Sequence, residues 1–171
     1  AIHADPVDPM PTHEEHALLG SLPVEAVDRL LEAAGPEADC PQVIVELRQL
    51  GGAIAAGSRI PSAFCSRDAA YSLLTIGIGV PPVVEAVREQ AAQLLASMRP
   101  WTTSGGLPNF APRTGAAWLR RVYDPAVLER LRRLAHAYDP EQVILGARAL
   151  HEGEVVTSRA RAMVRRLTTR R

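Results

Sequence analysis

The chain has 171 residues, of which 47% are hydrophobic and 22% are charged, and these values are those of about one globular domain. An aromatic content of 4% excludes a core of aromatic side chains and leaves Ala, Val, Leu and Ile to build it. No apolar run approaches the ~20 residues that cross a bilayer and no signal peptide is visible, so we expect a cytoplasmic protein without a membrane partner.

The formal net charge of zero hides an asymmetry along the chain. Residues 1–147 carry a net charge of −5 and residues 148–171 a net charge of +5, and every basic residue is arginine. An acidic body followed by a basic end is typical of an interaction tail. Cys40 and Cys65 are too few for a disulfide framework and belong to no Cys/His cluster, so we expect two free, partly buried thiols and no metal site.

Residues 1–20 contain three prolines and no sustained period, which predicts an extended connector. The histidines in this stretch do not have the spacing of a helical ligand pair, so we assign them no metal.

Ser21 is a candidate helix cap, and apolar residues then recur every three or four positions up to Gly35-Pro36. This pattern predicts a surface helix that packs on another element.

Residues 43–50 (VIVELRQL) favour a β-strand and lead directly into Gly51-Gly52. Because side chains alternate between the faces of a strand, Glu46 and Arg48 share one face. They form either a solvated ion pair on the open face of an antiparallel sheet or one wall of a pocket beside a cofactor. The glycines that follow would allow a ligand or another backbone to approach closely.

Two more extended segments are predicted at residues 60–66 and 69–78. Tyr71 lies on the second, where its hydroxyl could act as a general acid or bind substrate, or where its ring could simply pack. Pro81-Pro82 then opens an amphipathic helix that ends at Arg99-Pro100, with an apolar stripe wide enough to cover a sheet.

Residues 21–100 therefore read as helix, strand, strand, strand, helix. This order predicts an α+β fold in which amphipathic helices cover an antiparallel sheet. Three strands need more sheet or more helix for independent stability, so we expect the chain to be part of a larger two-domain enzyme.

A loop and a helix follow in residues 101–150. The loop WTTSGGLPNFAP has too many breakers for a central strand, and loops of this kind often hold binding groups. Asn109 offers two donors and an acceptor that could read the edge of a ring, or could bond its own backbone. Phe110 supplies a flat apolar surface. Asp124-Pro125 then begins an amphipathic helix whose arginines are either solvated or an anion-binding face.

The run from residue 104 to residue 150, SGGLPNFAPRTGAAWLRRVYDPAVLERLRRLAHAYDPEQVILGARAL, resembles the closing segment of FAD-linked oxidases of the berberine-bridge-enzyme type. The upstream runs ELRQLGGA and CSRDAAYSLL are similar to the substrate domain of actinobacterial FAD-binding oxidoreductases, and the resemblance covers residues 5–145. In that family an aromatic-x-Asn-aromatic pattern lies near the flavin. The chain keeps Asn109 and Phe110 but lacks the leading aromatic, and it has Gly146 and Arg148 where the family carries Asn.

The resemblance implies the C-terminal substrate domain of an FAD-dependent oxidoreductase that acts on an alcohol, a sugar or a similar small substrate. Under this interpretation Glu46 and Tyr71 are the catalytic candidates, Arg48 and Tyr71 bind substrate, and Asn109 and Phe110 contact FAD. The chain has no dinucleotide fingerprint, so we expect a fragment that is inactive and does not retain FAD without an N-terminal FAD-binding domain.

A second hypothesis concerns the basic tail at residues 151–171. Residues 158–171 (SRARAMVRRLTTRR) could bind an anionic partner through charge alone, which would make the chain a non-catalytic α+β binding module. Without interleaved aromatic residues, the tail does not favour nucleic acid.

Overall fold

A computed structural model describes residues 10–57, 59–110, 115–144 and 147–151. These residues form an α+β fold that contains a three-stranded antiparallel sheet and several helices. The chain divides into two compact units. Unit 1 comprises residues 1–59 and 66–112, and unit 2 comprises residues 60–65 and 113–171.

Unit 1 contains the sheet and the helices that cover it. Its elements are, in order, β1 (Thr12–Leu19), α1 (Val24–Ala34), β2 (Gln42–Gln49), β3 (Tyr71–Ile78), α2 (Val84–Ser97) and a 3₁₀ turn (Arg99–Trp101). The strand order is β1-β3-β2, so β3 is central and pairs antiparallel with both neighbours. The burial of β3 fits this position, because most of its side chains are buried.

The helices cover one face of the sheet, which we call the helix face. Its core residues, each 0% exposed, are Leu19, Ala26, Leu73, Leu94 and Met98. Val87, Ala91 and Leu94 recur on α2 at a helical spacing and are buried, as the apolar stripe of the sequence predicts. Residues directly opposite one another on paired strands share a face. Leu19, Tyr71 and Gln49 are opposite in the register and so belong to the helix face.

The other face, which we call the loop face, carries the alternate residues of each strand. His16, Leu74 and Glu46 lie opposite one another across the three strands. Leu18, Ser72 and Arg48 form the adjacent row. These two rows place Glu46 and Arg48 on the loop face, away from the helices.

Unit 2 is helical in its described part. It contains α3 (Ala116–Val122) and α4 (Pro125–Tyr138), with Trp118, Val122, Leu128 and Ala135 buried. Asp124 occupies the N-cap position of α4 but makes no side-chain cap bond. The start that Asp124-Pro125 predicts for this helix is confirmed.

The structure corrects several sequence predictions. Residues 12–19, expected to belong to the connector, form β1, because backbone pairing to β3 holds this largely polar stretch in place. Residues 60–66, expected to be extended, form no strand, and Ile60 is 77% exposed. Ser21 does not cap α1, whose N-cap residue is Pro23. The helix α3 was not predicted.

Within the described residues no helix is long and apolar enough to cross a membrane. The basic tail after His151 and the position of Gly146 lie outside the described residues.

Candidate functional site

The loop that follows α2 is anchored to the outer edge of β1. Thr102 forms an antiparallel bridge with Leu19. The Thr103 N–H donates to the Leu18 carbonyl at 2.8 Å, and the Gly20 N–H donates to the Trp101 carbonyl at 2.9 Å. These bonds fix the point from which the loop reaches the loop face.

Gly105 lets the loop turn close to the body of unit 1. Its φ of +105° is a conformation that side-chain-bearing residues rarely adopt, and a Cβ there would lie 2.6 Å from Ser66 Oγ. Ser66 is buried and donates to the Gly106 carbonyl at 3.4 Å, while Leu107 is 6% exposed. The loop therefore packs against the rest of unit 1 at residues 105–107, just before Asn109 and Phe110.

Phe110 meets the predicted strand pair on the loop face. The guanidinium carbon of Arg48 lies 5.0 Å from the Phe110 ring centroid, within the range of a cation–π contact. Arg48 Nη2 is 2.8 Å from Glu46 Oε1, and the two side chains are 47% and 38% exposed. Glu46 and Arg48 thus form an ion pair that solvent still reaches, and an aromatic ring lies on one side of it.

His16 adds a titratable ring to the same cluster. It is 4% exposed, and its Nε2 makes a 3.0 Å hydrogen bond with Ser72 Oγ. Its ring stacks with that of Phe110 at a centroid distance of 6.2 Å and an interplanar angle of 20°. We refer to Glu46, Arg48, Phe110, His16 and Ser72 as the Arg48–Phe110 cluster.

His16 and Ser72 were not predicted to belong to the site. His16 lies in the stretch that was interpreted as a connector, and its partner Ser72 is 56 residues away. The signal that would have found them is the pairing of β1 with β3, since it sets His16 beside Glu46 across the central strand.

Tyr71 is placed away from this cluster. It lies opposite Leu19 and Gln49 and packs against the core of the helix face. Side chains of adjacent strand residues point to opposite faces, so Tyr71 and its neighbour Ser72 cannot line the same wall. The expectation that Tyr71 shares a pocket wall with Glu46 and Arg48 is corrected.

Asn109 is exposed and directly precedes Phe110 in the sequence. Within the part of the chain that the structure describes, its side-chain amide makes no hydrogen bond. Its donors and acceptor are therefore available to a ligand that approaches Phe110. The expected contact of Asn109 with the edge of a flavin ring stays a prediction.

A second polar contact lies in unit 2. The Asp124 backbone N–H donates to Cys65 Sγ at 3.4 Å, and the Cys65 thiol donates to the Ala63 carbonyl at 3.3 Å. Burial raises the pKa of Tyr123 above its usual value, and the neighbouring Cys65 raises the pKa further. Cys65 and Cys40 are both free and partly buried, as the sequence predicted.

The cluster brings together a carboxylate, a guanidinium, an imidazole and an aromatic ring on one sheet face. Such a set can hold a planar or hydroxyl-bearing ligand and can accept a proton from it. No group of three or more potential metal ligands occurs among the described residues.

Comparison with known proteins finds similarity among solved structures. No family model matches the chain, and no curated protein matches it significantly. Among solved structures, the chain is similar to 6-hydroxy-D-nicotine oxidase from Arthrobacter nicotinovorans, with 25% sequence identity and a TM-score of 0.49. The similarity covers 77% of this chain, which spans 30% of the oxidase.

Proposed function

We propose that the chain is the C-terminal, substrate-binding portion of an FAD-dependent oxidoreductase that oxidises an alcohol, a sugar or a similar small substrate. The observation that carries the proposal is the contact of Arg48 with Phe110 at 5.0 Å. The strand pair and the loop aromatic were selected from separate parts of the sequence, and they meet on one face of the sheet. The sequence resemblance to FAD-linked oxidases supplies the reaction class.

Within this proposal the base is Glu46. Its carboxylate is partly open to solvent, with 38% of the side chain exposed, whereas the ring of His16 lies beneath the loop at 4% exposure. A substrate hydroxyl can therefore reach Glu46 without displacing the loop. The carboxylate accepts the hydroxyl proton, and Arg48 holds the carboxylate in place through their 2.8 Å ion pair.

The remaining groups position the reactants. Phe110 offers its ring as a flat surface, and the amide of Asn109 is placed to bond a ring edge. When bound, FAD would supply the acceptor for the hydride (a proton with two electrons) that leaves the substrate carbon. Tyr71 has no role in this site, because it packs on the helix face. The chain supplies no dinucleotide-binding fingerprint, so a separate FAD-binding domain would hold the rest of the cofactor.

Asn109 is the only asparagine in the chain, which permits a selective test. Protein labelled with ¹⁵N only at asparagine gives a single side-chain amide, and lumiflavin supplies the flavin ring without phosphates. We expect lumiflavin to shift the Asn109 signals and Phe110→Ala to abolish most of the shift. The control variant Tyr71→Phe should respond like the wild type. Asn109 signals that stay unchanged up to the solubility limit of lumiflavin would contradict the proposal.

The isolated chain should also be colourless after purification and should not oxidise alcohols or sugars. Its absorption spectrum checks this directly. A yellow preparation that carries flavin would show that no second domain is needed.

A further inference from the structure

Two histidines of unit 2 are in ring contact, His136 in the last turns of α4 and His151 in the segment that follows the helix. The rings of His136 and His151 have a centroid distance of 4.5 Å and an interplanar angle of 85°. We propose that His136 and His151 form a binding site for a first-row divalent transition-metal ion, with Zn²⁺ as the representative. This inference is independent of the oxidoreductase proposal, since it uses other residues in the other unit.

The chain reversal after α4 explains why the two histidines meet. The carboxylate of Asp139, which is 5% exposed, accepts hydrogen bonds from the Val143 and Ile144 N–H groups at 2.8 and 3.0 Å. The Ala147 N–H then donates to the Ile144 carbonyl at 3.0 Å. These bonds hold the chain close to the end of α4. The contact of the two rings then places His151 against this helix.

His151 carries the unusual feature of the site. It is 2% exposed, and both Nδ1 and Nε2 are buried without a hydrogen-bond partner in the structure, whose description of this segment ends at His151. Buried polar side chains are nearly always satisfied by protein, water or an ion. A neutral imidazole is the most common nitrogen ligand of metals in proteins, so a metal ion would satisfy one of these nitrogens.

His136 supplies the accessible side of the pair. It is exposed on α4 and takes part in a further interaction besides the ring contact. Two imidazoles that share one tetrahedral zinc ion, with Zn–N bonds of about 2.0–2.1 Å, have ring centroids about 5 Å apart. The two ring centroids, at 4.5 Å, are therefore within about 1 Å of the centroid distance that a shared zinc ion requires. Rotation of the exposed His136 ring can make up this difference.

The coordination would be completed by water, because no group of three potential ligands occurs in the described ranges. A site with two protein ligands binds more weakly than a closed structural zinc site, and we expect a dissociation constant of roughly 1–100 μM. Both imidazoles must be neutral to bind the ion.

Isothermal titration of the full chain with Zn²⁺ tests the site. We expect one ion per chain, and a loss of affinity of about tenfold or more in His136→Ala and in His151→Leu. Circular dichroism checks that each variant is folded. If the buried His151→Leu variant unfolds, the exposed His136→Ala variant decides alone.

Two matched controls exclude binding elsewhere. His13, which pairs with Glu15 at 3.8 Å in unit 1, is replaced in His13→Ala, and Cys65 is replaced in Cys65→Ser. Both variants should bind Zn²⁺ with wild-type affinity. The proposal is overturned if the wild type shows no binding below about 1 mM, if folded His136→Ala binds as the wild type does, or if a control variant loses the site.

Discussion

The contact of Arg48 with Phe110 predicts a measurable coupling between a strand and the loop. In a double-mutant cycle of Arg48→Ala and Phe110→Ala, the two changes should not be additive. The Arg48 side chain is 47% exposed, so its cation–π contact should have the interaction energy of a solvent-exposed pair. We therefore expect a coupling free energy of about 0.5–1 kcal/mol.

The single variants should differ in their cost. Phe110→Ala removes a partly buried ring, which should lower the free energy of unfolding by about 1–2 kcal/mol, less than for a fully buried Phe. Arg48→Ala also breaks the 2.8 Å ion pair with Glu46, an exposed pair that contributes about 0–1 kcal/mol. The cycle cancels this second loss, because it occurs both with and without Phe110.

Urea unfolding of unit 1 provides the assay. Trp101 packs against the core of unit 1 and Trp118 lies in unit 2, so a Trp118→Phe background leaves fluorescence that reports unit 1 alone. The control cycle pairs Phe110→Ala with Arg88→Ala on α2, whose arginine has a comparable ion pair with Glu85 at 3.0 Å. A coupling for Arg48 no larger than that for Arg88 would refute the contact.

Three further predictions concern stability and ionisation. Leu73→Ala, at a 0% exposed position in the central strand, should cost about 2–5 kcal/mol in urea unfolding, and a loss below about 1 kcal/mol would show that the core lies elsewhere. Gly105→Ala, at φ +105°, should destabilise unit 1 by about 1–3 kcal/mol. The control Gly51→Ala, where a Cβ has nothing within 4 Å, should change stability little. Equal effects of the two variants would contradict the close approach of Gly105 to Ser66. Tyr123 has a pKa raised above 10.0 by burial and then by Cys65, so its contribution to stability is fully present below pH 10.0 and is lost as the pH rises through the folded-state pKa. Tyr123→Phe should remove a component above pH 10.0 from the ultraviolet tyrosine titration, and an unchanged curve would argue against the raised pKa.

The helices α1, α2 and α4 could be predicted because the signal for each is local. Their apolar residues recur at a helical spacing, and Gly35-Pro36, Arg99-Pro100 and Asp139-Pro140 mark their ends. The strand β2 could also be predicted, since its first half (VIV) is β-branched and its second half (VELR) alternates between apolar and charged side chains.

The strand β1 could not be predicted on the same grounds. THEEHALL has apolar residues only at its end, and it becomes a strand through bonds to β3 about sixty residues later. The same long separation in sequence between paired strands explains the errors at the site. The alternation of side chains along a strand separates Tyr71 from Ser72. Which of the two belongs to the core is decided by the packing of the helices, and the register of the strands decides that His16 lies on the same face as Arg48.

The central claim is that a flavin ring and a small substrate meet this chain at the Arg48–Phe110 cluster. The chain has two phenylalanines, Phe64 in unit 2 and Phe110 in the cluster, so fluorinated phenylalanine gives two ¹⁹F signals that phenylalanine variants assign. On addition of lumiflavin we expect the Phe110 signal to shift in a saturable way and the Phe64 signal to stay unchanged. A Phe110 signal that does not move, or equal shifts of both signals, would contradict the claim.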